Sequence, residues 1–314
     1  MAMNTSIILS ALLCLAASGC SAVLKQPSSA LASSIDQNLR SQLDSVVHSS
    51  GGQLGACFAV LEENAGPACV GQGQIFPMAS VYKFPIAIAL LGKVERNEIR
   101  LEDSVPIRKE DLRGGRSPIA EKFTGDSQTQ TLAQLLEAMI VQSDNTASDL
   151  VLRACGGPRA VSEMLRQKGI AGLRVDRTEQ EIGAQLQGGE KGAAAYASDP
   201  RDSSTPEAMI ALLREFHAGR LLGSPMTEHL RQLMLRAKPD RIALHLPAGT
   251  EVAHKTGTAN GSFNDVGIVR LPDGRHLAIA ILLRGSRIEG GEDGSEIVGK
   301  VAEKIYGRVT GSTR

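Results

Sequence analysis

Strand-forming runs sit at the two ends of this chain and are missing from its middle, and that asymmetry limits what it can fold into more than any other feature. Residues 55–61 and 68–72 read as a hairpin, and the next strong strand signals come only at 251–258, 265–271 and 276–283. Leu271-Pro272-Asp273-Gly274 is a turn between the last two. The intervening stretch repeats apolar residues at helical spacing in 83–94, 132–141, 147–152, 160–165, 206–216 and 227–235. A helix capped by Ser33 or Ser34, with Ile35, Leu39, Leu43, Val46 and Val47 on one face, is expected before the first strand, closed by Gly51-Gly52. Another, 295–306, follows the last strand and packs through Ile297, Val298, Val301 and Ile305. Terminal segments share a sheet only when the chain closes on itself. The expected fold class is therefore α+β, with one antiparallel five-stranded sheet flanked by terminal helices and an inserted all-α lobe. Residues 34–75 and 236–314 make the α/β lobe, 76–235 the helical one, and the cleft between them is the expected site.

At 314 residues and 42% apolar composition the chain can bury such a core. Its formal net charge is zero, so nothing in the balance points to nucleic acid or an anionic membrane surface. Trp is absent and aromatics are 3%, which also argues against a base-stacking platform. Residues 1–22 carry an apolar run ending in small residues, too short to span a bilayer, that reads as a secretory signal although no Lys or Arg precedes it. A Ser/Ala-rich linker, 23–33, follows. Ala17-Ser18-Gly19-Cys20 resembles a lipobox, leaving two outcomes open: lipidation of Cys20, or ordinary cleavage near Ala22. Either way a periplasmic or secreted monomer is expected.

Outside that segment the cysteines are Cys57, Cys69 and Cys155, an odd number that does not read as a disulfide framework. With a turn at Glu63-Asn64-Ala65-Gly66, Cys57 falls opposite Gln72 and Cys69 faces the other side of the sheet, so no bridge between them is expected. The six histidines show no metal-ligand spacing, and neither metal nor other cofactor is expected.

Three short motifs carry the chemistry. Ser80-Val81-Tyr82-Lys83 opens an apolar helix, where an i, i+3 pair shares one face and burial lowers the lysine pKa enough for it to act as a base beside the serine nucleophile. The helix start also aims backbone N–H groups, that of Ser80 among them, at an oxyanion. Ser143-Asp144-Asn145 would by itself be a helix cap. Downstream of Ser-x-x-Lys, Ser143 can relay a proton to a departing nitrogen, while Asn145 can donate to a substrate carbonyl and accept from Lys83. Lys255-Thr256-Gly257 ends an apolar strand: Lys255 and Thr256 can hold a carboxylate, Gly257 clears the strand edge for substrate, and the Thr258 N–H can be a second oxyanion donor.

A trio of this kind marks class A β-lactamases and penicillin-binding proteins, and over nearly the whole mature chain the sequence resembles a class A serine β-lactamase. Phe76-Pro77-Met78, Ser117-Pro118 with Glu121-Lys122, Asp202 before Ser203-Ser204-Thr205-Pro206, and Leu246-Pro247-Ala248-Gly249 before His254 carry the likeness further. The resemblance implies the two-lobed β-lactamase fold, hydrolysis of penicillins and cephalosporins through a Ser80 acyl-enzyme, and antibiotic resistance. It also implies that Glu179, in Arg177-Thr178-Glu179 on an Ω-like loop spanning 177–202, activates the deacylating water, with Glu181 a nearby decoy. Arg241 then stands where some members direct a guanidinium at the substrate carboxylate, and Arg177 with Asp202 forms the base of the loop.

Three departures stand out against the family pattern. Gly183 replaces an asparagine that helps hold the water, a Gly-rich run at 187–192 lengthens the loop, and Arg116 replaces an aromatic at the cleft entrance. The lengthened loop and Gly183 suggest room for bulky cephalosporin side chains, the mark of an extended-spectrum enzyme. The rivals are a D-Ala-D-Ala peptidase, which has the trio but lacks the glutamate, and a β-lactam sensor that stays acylated. An α/β-hydrolase esterase is disfavoured because no Gly-x-Ser-x-Gly elbow occurs.

Overall fold

The computed structural model describes residues 35–288 and 291–312. The signal segment, the linker, Cys20 and the Ser33 or Ser34 cap lie outside the described residues. Helix α1 (Gln37–His48) instead starts on Asp36, whose carboxylate accepts the Leu39 amide at 2.8 Å, and buries Leu39, Leu43 and Val47 one turn apart. Strands β1 (Gln53–Val60) and β2 (Ala68–Val70) follow, and the chain then passes through β3 (Phe76–Pro77) and a 3-10 turn, Ala79–Tyr82, into α2 (Lys83–Glu95). A ribbon of β4 (Ser104–Arg108) and β5 (Ser127–Thr131), with α3 (Pro118–Glu121) between them, leads to α4 (Leu132–Val141), α5 (Asn145–Cys155) and α6 (Pro158–Gln167). Next come α7 (Glu179–Leu186), α8 (Gly189–Ser198) and β6 (Ser203–Ser204), which pairs with β3. After α9 (Pro206–His217) and α10 (Ser224–Leu235), strands β7 (Val252–Ala259), β8 (Ser262–Arg270) and β9 (His276–Arg284) lead to α11 (Gly291–Thr310).

The main sheet runs β2-β1-β9-β8-β7, antiparallel throughout, so β1 is enclosed by a strand more than two hundred residues away. Both faces are covered. Along β9, Ala278, Ala280 and Leu282 enter the core shared with the helical middle, whereas Ile279, Ile281 and Leu283 enter a second core made with α1 and α11. That explains why β9 is apolar at every interior position rather than at alternate ones. Helix α9 lies against β1 and β9 and joins the two parts of the molecule. No helix among the described residues is long and apolar enough to cross a membrane.

One expectation is overturned. Cys57 and Cys69 are directly paired between β1 and β2 and form a disulfide, with Cα atoms 4.2 Å apart. The connection occupies residues 61–67 rather than a tight four-residue turn, and Pro67 has no N–H with which to extend the ladder. The register therefore shifts by three residues from the expected pairing, and an odd shift turns every β2 side chain to the opposite face. Cys155 is buried and unbridged. The Gly-rich run that lengthens the loop leads into α8, whose Tyr196 is buried beneath Arg177.

Candidate active site

Lys83 organises the site. It is fully buried at the start of α2, and its ammonium donates to the Ser143 carbonyl at 2.7 Å and to Asn145 Oδ1 at 2.7 Å, and pairs with Glu179 Oε1 at 3.1 Å. Burial lowers its pKa below that of an ordinary lysine, against the opposing pull of the Glu179 carboxylate. Ser80 sits one 3-10 turn before it, half-buried, on the wall of a cleft of about 320 Å³. The same cleft is lined by Ser143, Asn145, Glu179, Arg241, Thr256 and Thr258.

The second motif divides its labour. Asp144 caps α5 by accepting the Ala147 amide at 2.8 Å, and its other oxygen takes the Ile119 amide at 2.7 Å. Its neighbours are thereby released toward the cleft. Ser143 adopts a left-handed φ of 60°, which costs an L-residue roughly 1–2 kcal/mol. The turn sets its hydroxyl 3.0 Å from the Lys255 ammonium and 3.5 Å from that of Lys83. The Asn145 amide gives its oxygen to Lys83 and its nitrogen to the Gly114 carbonyl at 3.0 Å, which fixes its orientation.

Alternation along β7 places Lys255 and Gly257 with the core residue Ala253 on the helical side of the sheet. Lys255 is fully buried, and both burial and the nearby Lys83 charge push its pKa well below the ordinary lysine range. Gly257 faces protein rather than open cleft, which corrects the expectation that it clears the strand edge for substrate. A methyl group there would lie 2.3 Å from the Met78 carbonyl and 3.1 Å from the Ser80 nitrogen, so the glycine lets β7 abut the turn that carries Ser80. Arg241 is buried and donates to the Gly257 and Asn264 carbonyls at 2.9 and 2.8 Å, and to the Thr258 hydroxyl.

Glu179 is the first residue of α7, and its side chain is only 10% exposed. Glu181, two residues on, completes a capping box with Thr178 and does not enter the cleft. Arg177 and Asp202 meet at 2.5 Å, and Asp202 also accepts the Asp176 and Arg177 amides at 2.7 and 3.1 Å, closing the loop at its base. Gly183 has open space where a side chain would be. Arg116 lines the cleft, its guanidinium donating to the Gln142 carbonyl.

Residues 38–309 match the β-lactamase enzyme family. The chain is 31% identical over 242 residues to a β-lactamase of Bacteroides uniformis, covering 74% of this chain and 78% of that one. It is 28% identical over 277 residues to the extended-spectrum β-lactamase PER-1 of Pseudomonas aeruginosa, covering 85% and 86%. Its fold matches a solved structure of a variant of the last common ancestor of Gram-negative bacteria class A β-lactamase, with a TM-score of 0.78 and 32% identity, covering 88% of this chain and all of that one. The chain belongs to the class A serine β-lactamases. As such it is a hydrolase of β-lactam antibiotics and a source of resistance to them.

Two residues that support the β-lactamase site escaped the sequence reading. Asp149, on α5 four residues after Asn145, accepts the Glu179 and Gln180 amides at 2.7 and 3.2 Å and pairs with Arg113 at 2.5 Å. It therefore anchors the start of α7. Asn264 donates to the Pro77 and Met78 carbonyls at 2.8 and 3.0 Å and accepts the Leu283 amide at 3.1 Å, fixing the approach to Ser80. The latter stands just before the expected strand 265–271, beside the polar Asp265, and carried no signal of its own in the sequence.

Proposed function

We propose that this β-lactamase opens penicillins and cephalosporins through a Ser80 ester, released by water that Glu179 deprotonates. The carrying observation is the contact of Lys83 with Glu179, Ser143 and Asn145 in the cleft that Ser80 lines. The Lys83–Glu179 pair takes the Ser80 proton as Oγ attacks the lactam carbonyl, and the Ser80 and Thr258 N–H groups receive the oxyanion. As the C–N bond breaks, Ser143 gives its proton to the nitrogen and recovers one from the lysines beside it. Lys255, Thr256 and Arg241 hold the substrate carboxylate, and Asn145 its side-chain carbonyl. Glu179 then removes a proton from water as it attacks the ester, and Ser80 leaves with its proton restored. The protein acts as an exported monomer, either soluble or held by lipid on Cys20.

Nitrocefin turnover with intact-protein mass spectrometry tests this. Wild type should turn over, whereas Glu179→Ala should slow deacylation by about 10²–10⁴-fold and accumulate an adduct on Ser80. A wild type that itself stays acylated would overturn the assignment in favour of a peptidase or sensor.

The open space at Gly183, and Ile182, Leu186 and Tyr196 along the cleft wall, support an extended spectrum that includes bulky oxyimino-cephalosporins. PER-1, a relative, is named an extended-spectrum β-lactamase. Turnover of an oxyimino-cephalosporin relative to benzylpenicillin should be substantial and fall in Gly183→Asn. A negligible ratio that the substitution leaves unchanged would count against it.

A further inference from the structure

At the opposite end of the sheet, the fold assembles ligand-bearing side chains that have no sequence spacing in common. Glu62 follows β1, His217 ends α9 and His276 begins β9, and their donor atoms all lie within 4.8 Å of one another. Glu62 Oε1 is 2.7 Å from His276 Nδ1 and 3.9 Å from His217 Nε2, and the two rings lie 4.5 Å apart between centroids. The backbone holds this arrangement: Leu61 donates to the His276 carbonyl at 2.8 Å, and the His276 amide donates to Glu62 Oε2 at 3.0 Å. The nearby Arg275 is taken up by Glu63 and Asp273, which leaves Glu62 to the imidazoles.

We propose that Glu62, His217 and His276 form a site for a divalent transition metal of the zinc class, clipping the β1–β2 connection to α9 and β9. Two imidazole nitrogens and one carboxylate suit a borderline ion such as Zn²⁺ and not Mg²⁺ or Ca²⁺, which favour oxygen donors. Tetrahedral zinc sets its donors about 3.3–3.6 Å apart, and the distances of 2.7 and 3.9 Å bracket that range within reach of small side-chain rotations. The side chains are 30–39% exposed, so an ion can enter and water can take the fourth position. His276 lies six residues, roughly 20 Å, along β9 from Leu282, the partner of the Asn264 that braces the Ser80 turn. The site is thus separate from the hydrolytic machinery.

The test is calorimetric titration of the chelator-treated full chain with ZnCl₂, alongside thermal melts and nitrocefin kinetics. One Zn²⁺ should bind per chain and raise the melting temperature by several degrees, while Mg²⁺ does neither. Glu62→Gln should weaken binding about tenfold or more and His217→Ala/His276→Ala should abolish it, with nitrocefin turnover of Glu62→Gln at the wild-type level. Should the double variant not fold, wild type loaded with Cu²⁺ decides by its electron paramagnetic resonance, which must show coupling to two nitrogens. Absence of saturable Zn²⁺ binding, stoichiometric binding that survives the histidine substitutions, or Cu²⁺ without nitrogen coupling would each overturn the site.

Discussion

Gly257 owes its place to what lies behind it, the Met78 carbonyl and the Ser80 amide, neither of which can swing aside as the tip of a flexible side chain would. Gly257→Ala should therefore displace the Ser80 turn, and kcat/KM for nitrocefin should fall by about 10²-fold, since misplacement on the ångström scale costs that much. Steady-state kinetics beside a thermal melt check this, and kinetics equal to the parent's in a folded variant would refute the packing role. At this scale the sequence was legible wherever a motif is local. Ser80 and Lys83 are one turn apart, and Ser143 and Asn145 flank a cap residue, so spacing alone announces them. Asp149 and Asn264 were not legible, because each acts on backbone groups contributed by a remote segment. A single Asp in a helix or Asn in a strand has many more ordinary explanations.

Among the elements, the segment from Arg177 to Asp202 departs furthest from its reading. Its base was anticipated as an ion pair and is one, reinforced by two amides donating to Asp202. Its interior, read as a loop lengthened by a Gly-rich run, forms α7 and α8; in α8 Ala193-Ala194-Ala195 favours helix and Tyr196 supplies a buried anchor. Placement of Glu179 then depends on Asp149, which receives two amides at the start of α7 as well as the Arg113 guanidinium. Asp149→Ala leaves those donors without their acceptor at a cost of about 1–3 kcal/mol, enough to loosen the helix start without dismantling the core. Deacylation should slow at least tenfold more than acylation, so rapid-mixing mass spectra should show the Ser80 ester building up. Equal slowing of both steps would assign Asp149 to general stability instead.

For the whole molecule, the stability lost on going to alkaline pH is that of a buried cation between β7 and β8. His254 is 1% exposed; burial opposes its charge, but Asp265 at 2.9 Å and Asp240 at 3.5 Å outweigh that and raise its pKa to about 9. A histidine whose pKa is higher folded than unfolded stabilises fully below the unfolded value and progressively less as pH rises through the folded one. The contribution, on the order of 3 kcal/mol for a shift of this size, should accordingly be lost between pH 6.5 and about 9. Urea unfolding at the two ends of that window should show the loss in wild type and not in His254→Gln; parallel behaviour of the two proteins would refute it. Asp265 also accepts the Ile242 amide at 2.9 Å, so the same pair steadies the segment bearing Arg241. By itself the sequence determined the α+β class, the closing of one sheet from both ends of the chain and the identity of the chemical groups, because periodicity and motif spacing are properties of neighbours along a chain. Tertiary structure alone decided the Cys57–Cys69 bridge, the support of Glu179 by Asp149 and the meeting of Glu62, His217 and His276. Each depends on register or on contacts between remote segments, and a register shift of a few residues, invisible in local pattern, changes which side chains share a face.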